Sequence, residues 1–301
     1  MRAVWSFWTK PYRKQSVGMS SWGSEFHHLL AWALSFNLAK KHLSKTALYT
    51  DSEGARFLAD DLGLEFDQVS TELNNIRNYD PEWWSLGKLY TYRAQREPFV
   101  HIDCDVFLDR PLPDWLLSAP VFGQNLEWFE IGKSCYEPEL FEAALLGMGG
   151  GWLPAEWLWY RKSGLGQEAV NCGILGGSAV SFLNYYAEQA IRVVEHPGNA
   201  MGWPLVGLPS GHMFLLEQYL LNACVRYEQH HSPSKYGTVS LATLFNSSEQ
   251  FYNDGERARF GYTHLIGRLK SNPDCRRMLE RRVSAEYPAY YERCVAMTRQ
   301  G

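Results

Sequence analysis

The chain has 301 residues, enough for one large domain or two modest ones with a substantial core. Hydrophobic residues make up 46% and charged residues 21%, which excludes a disordered polyelectrolyte. Basic side chains number 29 against 33 acidic ones, a net charge of −4 that argues against a generic nucleic-acid binder.

The first third alternates strand and helix. Ala3–Trp8 reads as a buried strand, and Glu25–Lys40 as a helix with an apolar face at Phe26, Leu29, Leu30, Ala33 and Leu34. Thr46–Thr50 is a second strand ending at Asp51, followed by a short helix over Glu53–Leu62 that stops at Gly63. Glu65–Val69 is a third strand, Trp84–Gln95 a helix, and Phe99–Ile102 a short, very apolar strand. This rhythm implies an α/β fold with a mixed, mostly parallel sheet flanked by helices. Ligands of such sheets bind beyond the carboxyl ends of the strands, here Trp8–Thr9, Thr50–Asp51 and Asp103–Asp105.

The remainder is less regular. Val121–Gln124 is a strand leading to Asn125 and Glu127. Gly147–Gly166 holds six glycines and three tryptophans and reads as a mobile loop with aromatic anchors. Ala169–Leu175 is a strand, and the helix after Gly177 carries Val180, Leu183, Ala187, Ile191 and Val194 on one face. Ser210 caps a helix running through Tyr227, and Asn272–Pro273 has the order of a helix start. The uncharged stretches Ala169–Ala187 and Pro197–Leu216 are broken by asparagine, glycine or proline, so neither reads as a membrane-spanning helix. Six cysteines without a Cys-x-x-Cys pair make a reducing cytoplasm the expected compartment.

Chemistry concentrates at two places. In His101-Ile-Asp-Cys-Asp-Val-Phe-Leu108 an apolar strand opens into Asp103-x-Asp105, and two carboxylates one residue apart can face one hard cation. The plain structural alternative is a turn capped by Asp103 with Asp105 in solvent. Far downstream, Tyr262-Thr-His-Leu-Ile-Gly-Arg-Leu-Lys270 offers an imidazole for a metal at His264, a glycine at 267 and a phosphate counter-charge at Lys270.

Asp103-x-Asp105, Asn171-Cys-Gly173 and His264-x-x-Gly267-x-x-Lys270 together resemble nucleotide-sugar glycosyltransferases of the GT-A fold. The nearest similarity is to family 8 and the related bacterial capsular-polysaccharide-type transferases. The resemblance implies that Asp103, Asp105 and His264 bind Mn2+ (or Mg2+), while Gly267 and Lys270 hold the diphosphate of a UDP-linked donor. Where family members continue with Pro-Trp after the lysine, this chain has Ser271-Asn272.

By the same resemblance Trp8, Thr9, Thr50 and Asp51 cradle uracil and ribose, and Lys88 reaches the donor. Asn171 contacts the donor sugar, Glu217-Gln218 form the acidic–Gln pair behind it, and Gln124, Asn125 and Glu127 serve sugar hydroxyls. Each has a bland alternative: a strand-end Thr-Asp is often a helix cap, and Lys88, Glu217 and Gln218 could lie on solvated helix faces. A single domain over 1–301 is expected, with a nucleotide-binding half at 1–113 and an acceptor-side half at 114–301.

The implied activity is metal-dependent transfer of a sugar to an acceptor hydroxyl, with retention, on a glycan, lipid-linked or small-molecule acceptor. Two other readings stay open: a nucleotidyltransferase that makes nucleotide sugars, and a non-catalytic sugar-binding protein. The first normally has a glycine-rich loop after its first strand, and Trp5–Gly18 offers only Gly18. The second explains the tryptophans but not the metal and phosphate residues. The span 268–282 has six basic and two acidic residues, so weak peripheral contact with a membrane surface through Arg268–Arg282 is a further expectation.

Overall fold

The structure, a computed structural model, describes residues 1–14, 22–76, 79–130, 135–147, 149–207, 209–231 and 234–299. Gly18 and the side chain of Ser210 lie outside the described residues. The described strands are β1 (Arg2–Phe7), β2 (Thr46–Thr50), β3 (Gln68–Ser70), β4 (Phe99–Ile102), β5 (Val106–Leu108), β6 (Val121–Trp128), β7 (Glu168–Val170), β8 (Ile174–Gly177), β9 (Leu241–Phe245) and β10 (Tyr262–His264). The chain divides into two compact units. The first is Met1–Pro81, Phe99–Pro113 and Asn253–Gly301, and the second is Glu82–Pro98 and Asp114–Tyr252. The C-terminal 49 residues (253–301) thus belong with the N-terminal unit.

In the first unit β1 is central, with β2 and β4 parallel on its two sides and β3 parallel outside β2. Every residue of β2 and β4 is buried, as expected of parallel strands covered on both faces. Parallel pairing sets the carboxyl ends of β1, β2 and β4, and so Trp8, Asp51 and Asp103, along one edge of the sheet. The helix Glu25–Lys40 has the bounds expected, with Ser24 as its cap accepting from the His27 amide at 3.4 Å.

Its burial differs from the sequence reading. Trp32, Phe36 and Leu38 are buried beside Leu29, Leu30, Ala33 and Leu34, so the helix is enclosed nearly all round. The C-terminal helices Pro273–Glu286 and Pro288–Arg299 pack on its other side and form a second cover. The short helix after β2 begins at Ser52 and continues as a π turn over Arg56–Asp61. Gly63 stops it with φ +75°, where a guanidinium nitrogen of Arg293 fills the place of a Cβ.

β5 and β10 form a separate antiparallel ribbon in register Tyr262↔Leu108 and His264↔Val106. This ribbon joins residues more than 150 positions apart in sequence.

In the second unit β6 pairs antiparallel with both β7 and β8 and parallel with β9. The expected strand Ala169–Leu175 is two strands, Glu168–Val170 and Ile174–Gly177, because Asn171–Gly173 turns between them. The expected face of the helix Val180–Glu195 is buried at Leu183, Ala187, Ile191 and Val194. From that helix Asn184 donates to the carbonyls of Tyr92, Arg93 and Gln95, closing the end of the helix Leu86–Ala94.

Gly147–Gly166 is a correction. It contains the helix Ala155–Lys162, with Trp157 and Tyr160 fully buried. The glycines flank that helix, and the tryptophans anchor a packed element instead of a loop. The architecture is α/β, with parallel and mixed sheets flanked by helices. Among the described residues no helix is long and apolar enough to cross a membrane.

Candidate metal and phosphate site

Beyond the carboxyl end of β4 the chain turns sharply, with the Val106 amide donating to Asp103 O at 2.9 Å. Ser35, from the enclosed helix, also donates to Asp103 O, at 3.3 Å. The turn leads directly into β5, so Asp105 is locked between the β4 end and the ribbon. Leu265 N donates to Asp105 O at 3.0 Å, which fixes the downstream motif against the same backbone.

The consequence is convergence. Asp103, Asp105 and His264 each offer a ligand atom, and these atoms lie within 4.8 Å of one another. His264 Nε2 is 3.5 Å from Asp105 Oδ2, and Lys270 Nζ is 2.7 Å from that same oxygen. The Asp105 side chain is 4% exposed, which removes the solvated alternative. Two carboxylates and an imidazole suit Mn2+ or Mg2+ better than a thiophilic metal.

Burial alone would push the Asp105 carboxyl up, but Lys270 and His264 beside it outweigh burial and hold it well below the usual carboxylate range. Burial would lower the Lys270 ammonium, and the Asp105 charge outweighs it and raises the group. Asp103 is more open, 19% exposed, with His101 Nδ1 at 3.7 Å and His101 Nε2 in turn 2.9 Å from Ser6 Oγ.

Gly267 has φ +53° with open space where a Cβ would stand. The left-handed conformation, costly for other residues, starts the tight turn Gly267–Ser271 that presents Lys270.

Several neighbours carry no motif and were invisible in the sequence. Lys270 Nζ lies 5.9 Å from the Trp22 ring centroid, and the Arg276 guanidinium donates to Trp22 O and to Lys270 O. His28 accepts from Trp32 Nε1 at 3.0 Å and lies 3.7 Å from Cys104 Sγ. Burial, reinforced by the Lys270 charge and partly opposed by Asp105, lowers His28 to about 3, so it is neutral. The only trace of this shell is a His at i and a Trp at i+4 on an apolar helix.

The other first-unit candidates have local roles. Thr50 is fully buried and its hydroxyl donates to Phe7 O, and Trp8 is 7% exposed. Asp51 accepts from the Thr9 amide and hydroxyl at 2.9 and 2.7 Å and from the Gly54 amide at 2.8 Å. Both carboxylate oxygens are engaged: Asp51 is a helix cap that ties β1 to β2. In the basic span, Arg277 pairs with Asp274, and Arg282 pairs with Asp109 and Glu286.

The second unit has a different polar cluster. Glu217 and Gln218 lie in a π turn, Leu215–Tyr219, and are buried, not on a solvated face. Glu217 is fully buried, taking Lys88 Nζ at 2.8 Å and Tyr92 Oη at 3.3 Å, while the Tyr186 hydroxyl donates to its carbonyl. Asn171 donates to Glu127 at 2.7 Å and accepts from Gly173 N at 3.0 Å. The Tyr136 hydroxyl sits between Glu127 Oε2, at 2.6 Å, and Gln218. Gln124 donates to Asn125 Oδ1 at 2.9 Å. Tyr136, which sequence reasoning did not find, thus joins Asn171–Glu127 to Gln218, and burial first and Glu127 second push its hydroxyl well above the usual range.

Residues 1–297 match the family DUF6734, a family of unknown function, and the chain belongs to that family. No curated protein matches it.

Proposed function

We propose that this DUF6734 member is a divalent-metal-dependent glycosyltransferase that moves a sugar from a nucleoside diphosphate donor, UDP-linked, to an acceptor hydroxyl with retention. The observation that carries the reading is the approach of His264 and Lys270 to Asp103-x-Asp105 across about 160 residues of sequence. A nucleotidyltransferase or a lectin gives no reason for that gathering.

Asp103, Asp105 and His264 would hold the cation, whose charge would neutralise the diphosphate as it leaves. Lys270 adds a positive charge on the same side, where the turn Gly267–Ser271 brings it. The buried ribbon keeps Asp105 and His264 in place, so these two side chains need little reorganisation on binding. Within the second unit, taken by itself, Asn171 and Gln218 carry amides of the kind that read sugar hydroxyls, Asn171 held by Glu127 and Gln218 by the Tyr136 hydroxyl. Retention leaves no dedicated general base to find.

The test is thermal melting with UDP and Mn2+ together and separately, followed by a screen of nucleotide sugars for hydrolysis. Saturation at a hundred times Kd should add about 2.7 kcal/mol of stability. Melting unchanged by any nucleoside diphosphate with Mn2+ or Mg2+ refutes the reading.

A further inference from the structure

Lys270 and the cation want the same oxygen. Lys270 Nζ is 2.7 Å from Asp105 Oδ2, and this is also the oxygen nearest His264 Nε2, at 3.5 Å. A cation shared by Asp105 and His264 has to occupy the space on the His264 side of that oxygen. A small dication sits about 2.1 Å from a carboxylate oxygen and draws on the same lone pairs as the ammonium. The two positive charges also repel each other.

One partner is fixed and the other is not. Asp105 is held by the ribbon and by Leu265 N on its carbonyl, and its side chain is 4% exposed. Lys270 is 22% exposed, at the end of a flexible four-carbon stem, with a ring face at Trp22 to lean on. When a dication takes Asp105, it is therefore the ammonium that turns away.

We infer that Lys270 is a displaceable counter-ion of Asp105, whose release makes metal binding and diphosphate binding support each other. The inference rests on the metal–diphosphate reading above. A metal that binds alone strips Lys270 of its carboxylate. A diphosphate that binds alone draws Lys270 off Asp105 and leaves a buried carboxylate behind. Bound together, the metal satisfies Asp105 and the diphosphate satisfies Lys270, and linkage makes the benefit equal in both directions. Lys270 thus favours the metal–nucleotide complex over either component.

The experiment measures Mn2+ binding to the full chain by electron paramagnetic resonance, without nucleotide and with UDP. Lys270→Met should tighten Mn2+ alone by roughly tenfold, within the usual range of coupling between sites, and weaken UDP in the presence of Mn2+. Lys270→Arg, which keeps a cation on Asp105, should leave Mn2+ alone as weak as in the wild type. On wild-type protein, amine acetylation read by mass spectrometry should find Lys270 more reactive with Mn2+ and protected again once UDP is added. This second readout does not depend on a variant folding. If Mn2+ and UDP bind but Lys270→Met does not tighten Mn2+, or Mn2+ leaves Lys270 labelling unchanged, the counter-ion role is overturned and the transferase reading stands. If the wild type binds neither, both fall.

Discussion

Each unit contains a lysine paired with a buried carboxylate, at nearly the same distance: Lys270–Asp105 at 2.7 Å and Lys88–Glu217 at 2.8 Å. Their surroundings differ. Glu217 is fully buried, Lys88 is 13% exposed, and tyrosine hydroxyls reach the Glu217 carboxylate (Tyr92) and its backbone carbonyl (Tyr186). Asp105 instead has a second carboxylate and an imidazole within 4.8 Å, and its lysine reaches solvent. A buried ion pair among neutral donors, with no second metal-ligating group gathered on it among the described residues, is a structural joint. The same pair beside further metal-ligating atoms is a candidate site, where on the proposal above the lysine would be exchanged for another cation.

The largest effect that separates the two pairs is on stability. Lys88→Met leaves Glu217 buried without its ammonium and should cost about 3–5 kcal/mol in urea unfolding. Adding Glu217→Leu should restore most of that loss. A single variant as stable as the wild type would show that Glu217 reaches water and the contrast is false.

Next is Asp105→Asn, for which transfer and UDP–Mn2+ binding should fall by about 10²–10³-fold. Its melting temperature should change little, since the more exposed Lys270 can turn to solvent. A large drop in melting with binding retained would make this pair structural too.

His28 sharpens the comparison through pH. The folded protein keeps it neutral down to about pH 3, whereas an unfolded chain protonates it near 6.5. Between those values the unfolded state binds more protons, so stability rises with pH and is lost on acidification below about 6.5. The slope from this group reaches ~1.4 kcal/mol per pH unit. His28→Gln should remove about 2 kcal/mol of the loss in unfolding free energy between pH 7 and pH 5, and an unchanged loss would mean that protonated His28 is accommodated.

The smallest effect tests the support of Lys270. Asn272 accepts from the amides of Asp274 and Cys275 and caps the helix that carries Arg276 to the Lys270 carbonyl. Asn272→Ala should cost about 1 kcal/mol and loosen Mn2+-linked UDP binding only slightly.

Much of the first unit was legible because its signals are local. Glu25–Lys40, Thr46–Thr50 and Phe99–Ile102 have the bounds that periodicity and apolar runs implied, and Gly63 and Asn272 end and begin helices as their residue types require. The second unit was legible mainly in its amphipathic helix. The glycine count of 147–166 hid the helix Ala155–Lys162, whose own residues include no glycine, because flanks and element were averaged together. The strand expected over Ala169–Leu175 failed because an apolar run carries no mark where an asparagine–glycine turn reverses it.

By itself the sequence determined the α/β alternation, the caps and stops, and the residue types at 103, 105, 264, 267 and 270, all of which depend on neighbours within a few positions. Tertiary structure decided which of these residues act together. Pairing of β5 with β10 places His264 and Lys270 on Asp105, enclosure of the first long helix makes His28 neutral, and burial turns Glu217 from a surface acid into a joint. Periodicity encodes which face of an element is apolar, but not which distant element covers it, and both charge state and ligand geometry follow from that cover.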